Sequence, residues 1–193
     1  MQEGRISATD LACRRGDRVL FAGLSFALEP GEALQITGAN GTGKSSLLRI
    51  VAGLLRPLAG AVSSQGAIGL VDERPALDPH LPLGRALAFW GGIDGTADRA
   101  VQDRLGLTRL LDVPVRYLST GQRKRAALAR LVGQGAPIWL LDEPLNGLDS
   151  GAAALTQTLS DEHCRAGGIA LIASHQDFAL PGLRHLALAD YAQ

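Results

Sequence analysis

The sequence contains only two cysteines among its 193 residues, Cys13 and Cys164. They lie far apart, without a Cys-x-x-Cys pair or a cluster of histidines, so the sequence supports neither a disulfide framework nor a zinc site. An excess of charge of one sign is also lacking, because 19 basic residues balance 19 acidic residues. A neutral chain has no strong positive field, and we therefore expect no nucleic acid among its partners.

Long apolar runs are missing as well. No stretch approaches the roughly 20 apolar residues that span a bilayer, and residues 1–5 lack the apolar centre of a secretory signal. We therefore expect a chain that does not itself span the membrane and that works on its cytoplasmic side. With 46% hydrophobic residues, the chain can still bury the core of one compact domain that carries a subdomain insertion.

A glycine-rich segment between a strand-like run (34–37) and a helix-like run (46–51) is the strongest motif. Its residues are Gly38, Ala39, Asn40, Gly41, Thr42, Gly43, Lys44 and Ser45. The glycines allow the backbone to bend around a phosphate chain, and the helix N-terminus adds positive potential there. This P-loop pattern predicts that Lys44 reaches the β- and γ-phosphates, that the Ser45 hydroxyl ligates magnesium, and that Ser46 belongs to the same nucleotide site.

A second motif is an apolar run at residues 138–141 that ends in two acids, Asp142 and Glu143. The run is typical of a buried strand. In a nucleotide site, Asp142 would hold magnesium directly or through water, and Glu143 would act as the general base on the attacking water. The alternative is a buried strand that ends in an ordinary acidic turn, which the P-loop upstream makes less favoured.

Between these motifs, the segment Leu118-Ser119-Thr120-Gly121-Gln122 precedes a basic, Ala- and Leu-rich run. The segment resembles the Leu-Ser-x-Gly-Gln signature of the ATP-binding cassette (ABC) family, to which nearly the whole chain is similar. Ser119 can cap a helix whose first amides then form a second anion-binding terminus. The resemblance implies that Ser119, Gly121 and Gln122 serve ATP on a second subunit. We therefore expect ATP and Mg²⁺ as cofactors and a homodimer of this chain.

The resemblance also assigns two later segments. Residues 146–149 fall at the family's D-loop, which contacts the opposite subunit. The apolar run 169–174 is followed by His175, at the position of the family's γ-phosphate-sensing histidine, and a neutral imidazole can donate to a phosphate oxygen. The implied fold class is α/β: a P-loop NTPase (ABC ATPase) core with an N-terminal antiparallel β layer and an inserted helical subdomain.

Hydrophobic patterning agrees with this division, with residues 1–74 and 118–193 as the core and residues 75–117 as the helical subdomain. Prolines and Gly91-Gly92 predict short helices in the subdomain. The predicted elements are strands at residues 6–12, 19–21, 24–28, 67–71, 169–174 and 183–188, and helices from the P-loop to about residue 55 and at residues 83–90, 97–105 and 151–163.

Two positions depart from the family pattern. Arg15 occupies the place of an aromatic residue that stacks on adenine, and its guanidinium can either stack by its planar face or remain solvated. Glu73 falls at the family's glutamine position, with Asp72 or Arg74 as alternatives if the alignment slips by one residue. A carboxylate at Glu73 can face magnesium but adds negative charge near the γ-phosphate, unless these are only surface loop charges. The basic run 123–125 is interpreted as the polar face of a helix.

Softer features are similar to one branch of the family, the ATP-binding subunits of the bacterial haem exporter in cytochrome c maturation. These features are residues 20–26, the short segment after His175, Cys13 and the acidic pair Asp72-Glu73. The resemblance implies an ATP-hydrolysing translocase subunit, bound peripherally to integral membrane subunits at the cytoplasmic face of the inner membrane. The alternative is the ATP-binding subunit of another small-molecule exporter or importer.

Overall fold

A five-stranded parallel sheet forms the centre of the fold in a computed structural model that describes residues 4–94 and 99–192. The strand order is β5-β6-β7-β3-β8. Both faces of this sheet are covered, which explains why β6 and β7 are apolar and buried throughout. The strands are β3 (Ala33–Thr37), β5 (Ile68–Val71), β6 (Ile138–Asp142), β7 (Ile169–Ala173) and β8 (Arg184–Ala187).

A second, antiparallel sheet lies in front of the first and has the order β2-β1-β4. Its strands are β1 (Arg5–Arg15), β2 (Arg18–Leu28) and β4 (Ala59–Gln65). The predicted runs 19–21 and 24–28 form a single strand, because Gly23 takes a left-handed φ of 72° and lets the chain continue through a bulged pairing. Strand β4 was not predicted, since six of its seven residues are exposed and show no apolar alternation.

In the described part of the chain, the α-helices are α1 (Lys44–Val51), α2 (Leu83–Asp94), α3 (Arg99–Arg104), α4 (Thr120–Gln134) and α5 (Ser150–Arg165), with short 3-10 helices at Thr108–Leu110, Val115–Tyr117 and Leu188–Tyr191. Helix α1 ends four residues earlier than predicted, where Gly53 takes a left-handed φ of 72°. Helix α2 continues through Gly91 and Gly92, contrary to the expected break. The predicted start of the next helix, Ala97, lies outside the described residues. Within residues 4–94 and 99–192, no helix combines the length and apolarity needed to cross a membrane.

Alternating side chains of β6 divide the core into two parts. Trp139 and Leu141 belong to the cluster beneath α2 to α5, whereas Ile138 and Leu140 belong to the cluster formed with α1 and the antiparallel sheet. Burial on both sides fixes the sheet between these layers. Because its strands are parallel, the loops that follow β3, β5, β6 and β7 all leave at the same edge of the sheet, where ligands bind in such folds.

Candidate active site

The loop between β3 and α1 is a compact turn whose geometry requires glycine. Gly43 directly precedes α1 with a left-handed φ of 112°. A Cβ atom at Gly43 would lie 3.2 Å from both the Leu20 Cβ and the Phe21 ring, so both the backbone and the available space favour glycine there. The Thr42 hydroxyl closes the loop by donating to the Ala39 carbonyl over 2.9 Å.

Lys44 is a buried cation at the junction of this loop with the end of β6. Its Nζ donates to the carbonyl oxygens of Gly38 and Ala39 at 2.8 and 3.2 Å. The same nitrogen lies 3.5 Å from Glu143 Oε1. The ammonium group is therefore held at the edge of the sheet, between the P-loop and the acidic pair.

Ser45 and Asp142 meet across the sheet edge. The Ser45 hydroxyl donates to Asp142 Oδ1 over 3.0 Å. Burial raises the pKa of the Asp142 carboxyl, and the Ser45 hydrogen bond opposes that shift. Oxygen donors of this type suit Mg²⁺. Within the described residues, no group of three or more His, Cys, Asp or Glu side chains could hold a metal. The oxygen atoms of Ser45 and Asp142 suit a Mg²⁺ ion whose other ligands would be phosphate oxygens and water.

Glu143 lies between two side chains that can steer its carboxylate. Its Oε2 is 2.9 Å from His175 Nδ1, while Oε1 faces Lys44. The Glu143 backbone takes a left-handed φ of 46°, and its N–H donates to the Ala173 carbonyl over 2.8 Å. Strands β6 and β7 thus bring the predicted general base, Glu143, into direct contact with the predicted γ-phosphate-sensing histidine, His175.

A cavity of about 460 Å³ opens above these groups. Its lining consists of P-loop residues and of side chains from other loops and strands: Asn40, Gly41, Gly43, Lys44, Ser45, Ser46, Arg15, Leu20, Glu73, Glu143 and Asn146. Of the three candidates at the family's glutamine position, Glu73 reaches this cavity. Asp72 instead faces Arg49 at 3.8 Å and forms a turn by accepting from the Arg74 N–H over 2.8 Å. Arg15 lies exposed at the rim.

The signature segment lies at the start of α4 and does not line this cavity. Ser119 and Gln122 form a reciprocal cap: the Gln122 N–H donates to Ser119 Oγ over 3.2 Å, and the Ser119 N–H donates to Gln122 Oε1 over 2.8 Å. A Cβ atom added at Gly121 would lie 2.7 Å from the Gly147 carbonyl oxygen. The start of α4 and the D-loop segment therefore touch within one chain.

Replacing Gly121 by Ala is expected to lower ATP turnover about tenfold or more, because the added methyl group must displace backbone atoms of the D-loop segment. Binding of a fluorescent ATP analogue to the chain should persist, since the P-loop is untouched. Steady-state ATPase assays and binding titrations measure the two effects. The control is Gly92→Ala on α2, where an added Cβ meets no atom within 4 Å; wild-type turnover in both variants would contradict a need for this close approach.

The basic run at residues 123–125, interpreted above as the polar face of a helix, is only partly exposed. All three side chains are half-buried and turned toward main-chain carbonyls. The sequence contains a weak signal for this at Arg123, because a cation in the first turn of a helix is unfavourable. The contacts are Arg123 Nη1 to the Leu118 carbonyl at 2.9 Å, Lys124 Nζ to the Glu143 carbonyl, and Arg125 Nη1 to the Leu105 carbonyl at 2.8 Å.

The parallel sheet and the glycine-rich loop that leads into α1 are those of a P-loop nucleotide-binding protein. The profile of the ABC transporter family matches residues 21–146. A solved ABC transporter ATP-binding protein from Pyrococcus furiosus has the same fold, with a TM-score of 0.82 and 21% sequence identity over 98% of this chain and 100% of that chain. The predicted fold class is confirmed.

Similar proteins with curated names identify a smaller family within this class. A cytochrome c biogenesis ATP-binding export protein CcmA from Novosphingobium aromaticivorans is 58% identical over 191 residues, which cover 99% of each chain. The protein of the same name from Zymomonas mobilis is 48% identical over 189 residues, covering 97% of this chain and 86% of that protein. The chain therefore belongs to the ABC transporter family and, within it, to the family of these cytochrome c biogenesis ATP-binding export proteins.

Proposed function

We propose that this chain is the ATP-hydrolysing subunit of a membrane ABC transporter that energises haem export or handling for c-type cytochrome biogenesis. The observation that carries the proposal is the convergence of Lys44, Glu143 and His175 at one edge of the sheet. The names of the curated relatives support the assignment to cytochrome c biogenesis. The site itself would serve equally well in another small-molecule exporter or importer, and the experiment below separates these functions.

The first task of the site is to hold the phosphates of ATP. The P-loop amides and Lys44 would bind the β- and γ-phosphates, because amides at a helix N-terminus and a buried cation both favour anions. Ser45 and Asp142 would hold Mg²⁺. Glu73 lines the same cavity and could approach the metal ion. When bound, Mg²⁺ supplies neutralisation of the phosphate charge.

Glu143 would then accept a proton from the attacking water. Its carboxylate is steered by Lys44 on one side and by His175 on the other, so it can point toward a water in line with the γ-phosphate. The exposed part of the His175 ring can donate to a γ-phosphate oxygen. The water oxygen would bond to the γ-phosphorus as the bond to the β–γ bridging oxygen breaks, which gives ADP and inorganic phosphate. Glu143 would then pass the proton to the phosphate product or to solvent and so be restored as a base.

Ser119, Gly121 and Gln122 would complete the site of a second copy of this chain. Their position outside the cavity of their own chain supports this role. Helix α4 begins with a capped terminus, and the N-terminus of a helix suits a γ-phosphate presented by a partner. A homodimer would thus enclose two ATP molecules.

Residues 75–117 would face the integral membrane subunits. On α2, Phe89 and Ile93 lie one turn apart and are 60% and 61% exposed. Apolar surface of this kind is typical of a contact with another protein. We place the subunit peripherally, at the cytoplasmic face of the bacterial inner membrane.

The test is to purify tagged Glu143→Gln protein with ATP and Mg²⁺ from gently solubilised native membranes, to identify co-purifying subunits by mass spectrometry, and to record the haem absorption band. We expect small multi-span proteins of cytochrome c maturation. Recovery of a different permease would overturn the role in cytochrome biogenesis but keep the ATPase, and recovery of no membrane protein would overturn the transporter role.

A further inference from the structure

The chain contains two lysines among its 19 basic residues, Lys44 and Lys124, and both contact Glu143. Lys44 meets the carboxylate, whereas Lys124 Nζ donates to the backbone carbonyl of Glu143. Lys124 approaches from α4, the helix that begins at the signature segment. It therefore links this helix to the proposed general base of the same chain.

The carbonyl that Lys124 contacts belongs to a backbone in an unfavourable conformation. Glu143 has a φ of 46°, a value that non-glycine residues rarely adopt without support from their surroundings. Its N–H is fixed by the Ala173 carbonyl, and its own carbonyl also accepts from the Asn146 N–H at 3.3 Å. Lys124 adds a charged donor to this carbonyl, and charged donors form the stronger hydrogen bonds.

Lys124 also lies among other charged side chains. A smaller cavity of about 240 Å³ adjoins the nucleotide cavity and is lined by Asp72, Glu73, Arg123 and Lys124. Asp72 already faces Arg49, and Arg123 donates to the Leu118 carbonyl. Lys124 and Glu73 thus line the same small cavity, and the carboxylates of Glu143, Glu73 and Asp142 all oppose the lowering of the Lys124 pKa that burial causes.

We propose that Lys124 is a positioning residue for ATP hydrolysis, which fixes the Glu143 main chain by its hydrogen bond and compensates the negative charge of Glu73 beside the γ-phosphate. The inference rests on the proposed role of Glu143 as general base. It explains how a carboxylate is tolerated at Glu73, next to a ligand that is itself strongly anionic. The hydrogen bond of Lys124 and its positive charge should affect different kinetic constants, because the hydrogen bond orients the base and the charge changes the local potential.

The experiment compares Lys124→Met, Glu73→Gln, the double variant and Lys124→Arg by ATPase kinetics and by titration with a fluorescent ATP analogue. Lys124→Met should lower kcat about 10- to 100-fold through misplacement of Glu143. It should also weaken ATP binding roughly tenfold, through unbalanced negative charge. The double variant should bind ATP with nearly wild-type affinity but keep the low kcat of Lys124→Met. Lys124→Arg should largely retain the wild-type values of both the affinity and kcat.

Hydrogen exchange at residues 143–148 supplies a readout that does not depend on turnover. We expect faster exchange in Lys124→Met and wild-type exchange in Lys124→Arg. Thermal unfolding checks that each variant is folded, and Lys124→Gln replaces Lys124→Met if that variant does not fold. Wild-type kcat in Lys124→Met, with turnover lost in Glu143→Gln, would overturn this inference alone. Full turnover in Glu143→Gln would instead overturn the proposed function.

Discussion

Replacing Glu143 by Gln should leave ATP binding close to that of the wild type and lower turnover by about 100- to 10,000-fold, the range that general base catalysis contributes. Glutamine keeps the size of the side chain but cannot accept the proton from water. The contacts with Lys44 and His175 involve side-chain oxygens at 3.5 and 2.9 Å, and an amide can preserve one of them. The loss should therefore appear in kcat and not in the affinity for ATP.

The second consequence of this substitution is a trapped dimer. When hydrolysis is blocked, two chains that enclose ATP should remain together, and size-exclusion chromatography with ATP and Mg²⁺ should show a dimer that the wild type loses during turnover. A matched control is Glu162→Gln on α5, where the carboxylate forms an exposed pair with Arg104 at 2.8 Å. Turnover in the control should be unchanged. If the Glu143 variant also turned over normally, the base would have to be another group.

Replacing Lys44 by Ala should instead abolish tight ATP binding. The buried ammonium is the cation aimed at the β- and γ-phosphates, and a charged hydrogen bond of this kind changes affinity by roughly 10- to 100-fold. Removing it also leaves Glu143 without its cation, which adds repulsion toward the phosphates. Titration with a fluorescent ATP analogue measures the loss directly.

Folding must be separated from binding in this variant, since Lys44 is only 5% exposed and its Nζ satisfies two main-chain carbonyls. Thermal unfolding in the absence of nucleotide reports the stability of the fold alone. Stabilisation by added ATP, which depends on affinity, should be large for the wild type and nearly lost in Lys44→Ala. Lys44→Arg keeps the charge and serves as the control. An Ala variant that is stabilised by ATP as strongly as the wild type would contradict the assignment.

Much of the site could be predicted because its residues follow strands that the sequence marks clearly. The apolar runs of β3, β6 and β7 are short, continuous and bounded by the polar residues that carry the chemistry. In a parallel sheet the ends of such strands share one edge, so separate motifs converge without any further information. The meeting of Ser45 with Asp142, and of Glu143 with His175, follows from this rule.

The features that could not be predicted depend on contacts between distant parts of the chain. Strand β4 is stabilised by pairing with β1 and has little burial of its own, so its sequence shows no strand period. Helix α2 passes through Gly91 and Gly92 despite their poor helix propensity, and its buried residues, Leu83, Ala86 and Leu87, all precede them. The inward direction of Lys124 depends on where β6 ends relative to α4, which local sequence does not encode.

The position of β7 in the sheet also determines when the site can exist during synthesis. Residues Ser45 and Asp142 leave the ribosome well before Ile169–Ala173, yet β7 is the strand that lies between β3 and β6. Until β7 emerges, these two strands have no common neighbour to align them, so a nascent chain carries the complete P-loop sequence without a working site. We therefore expect nucleotide to stabilise the chain only after β7 has joined the sheet between β3 and β6.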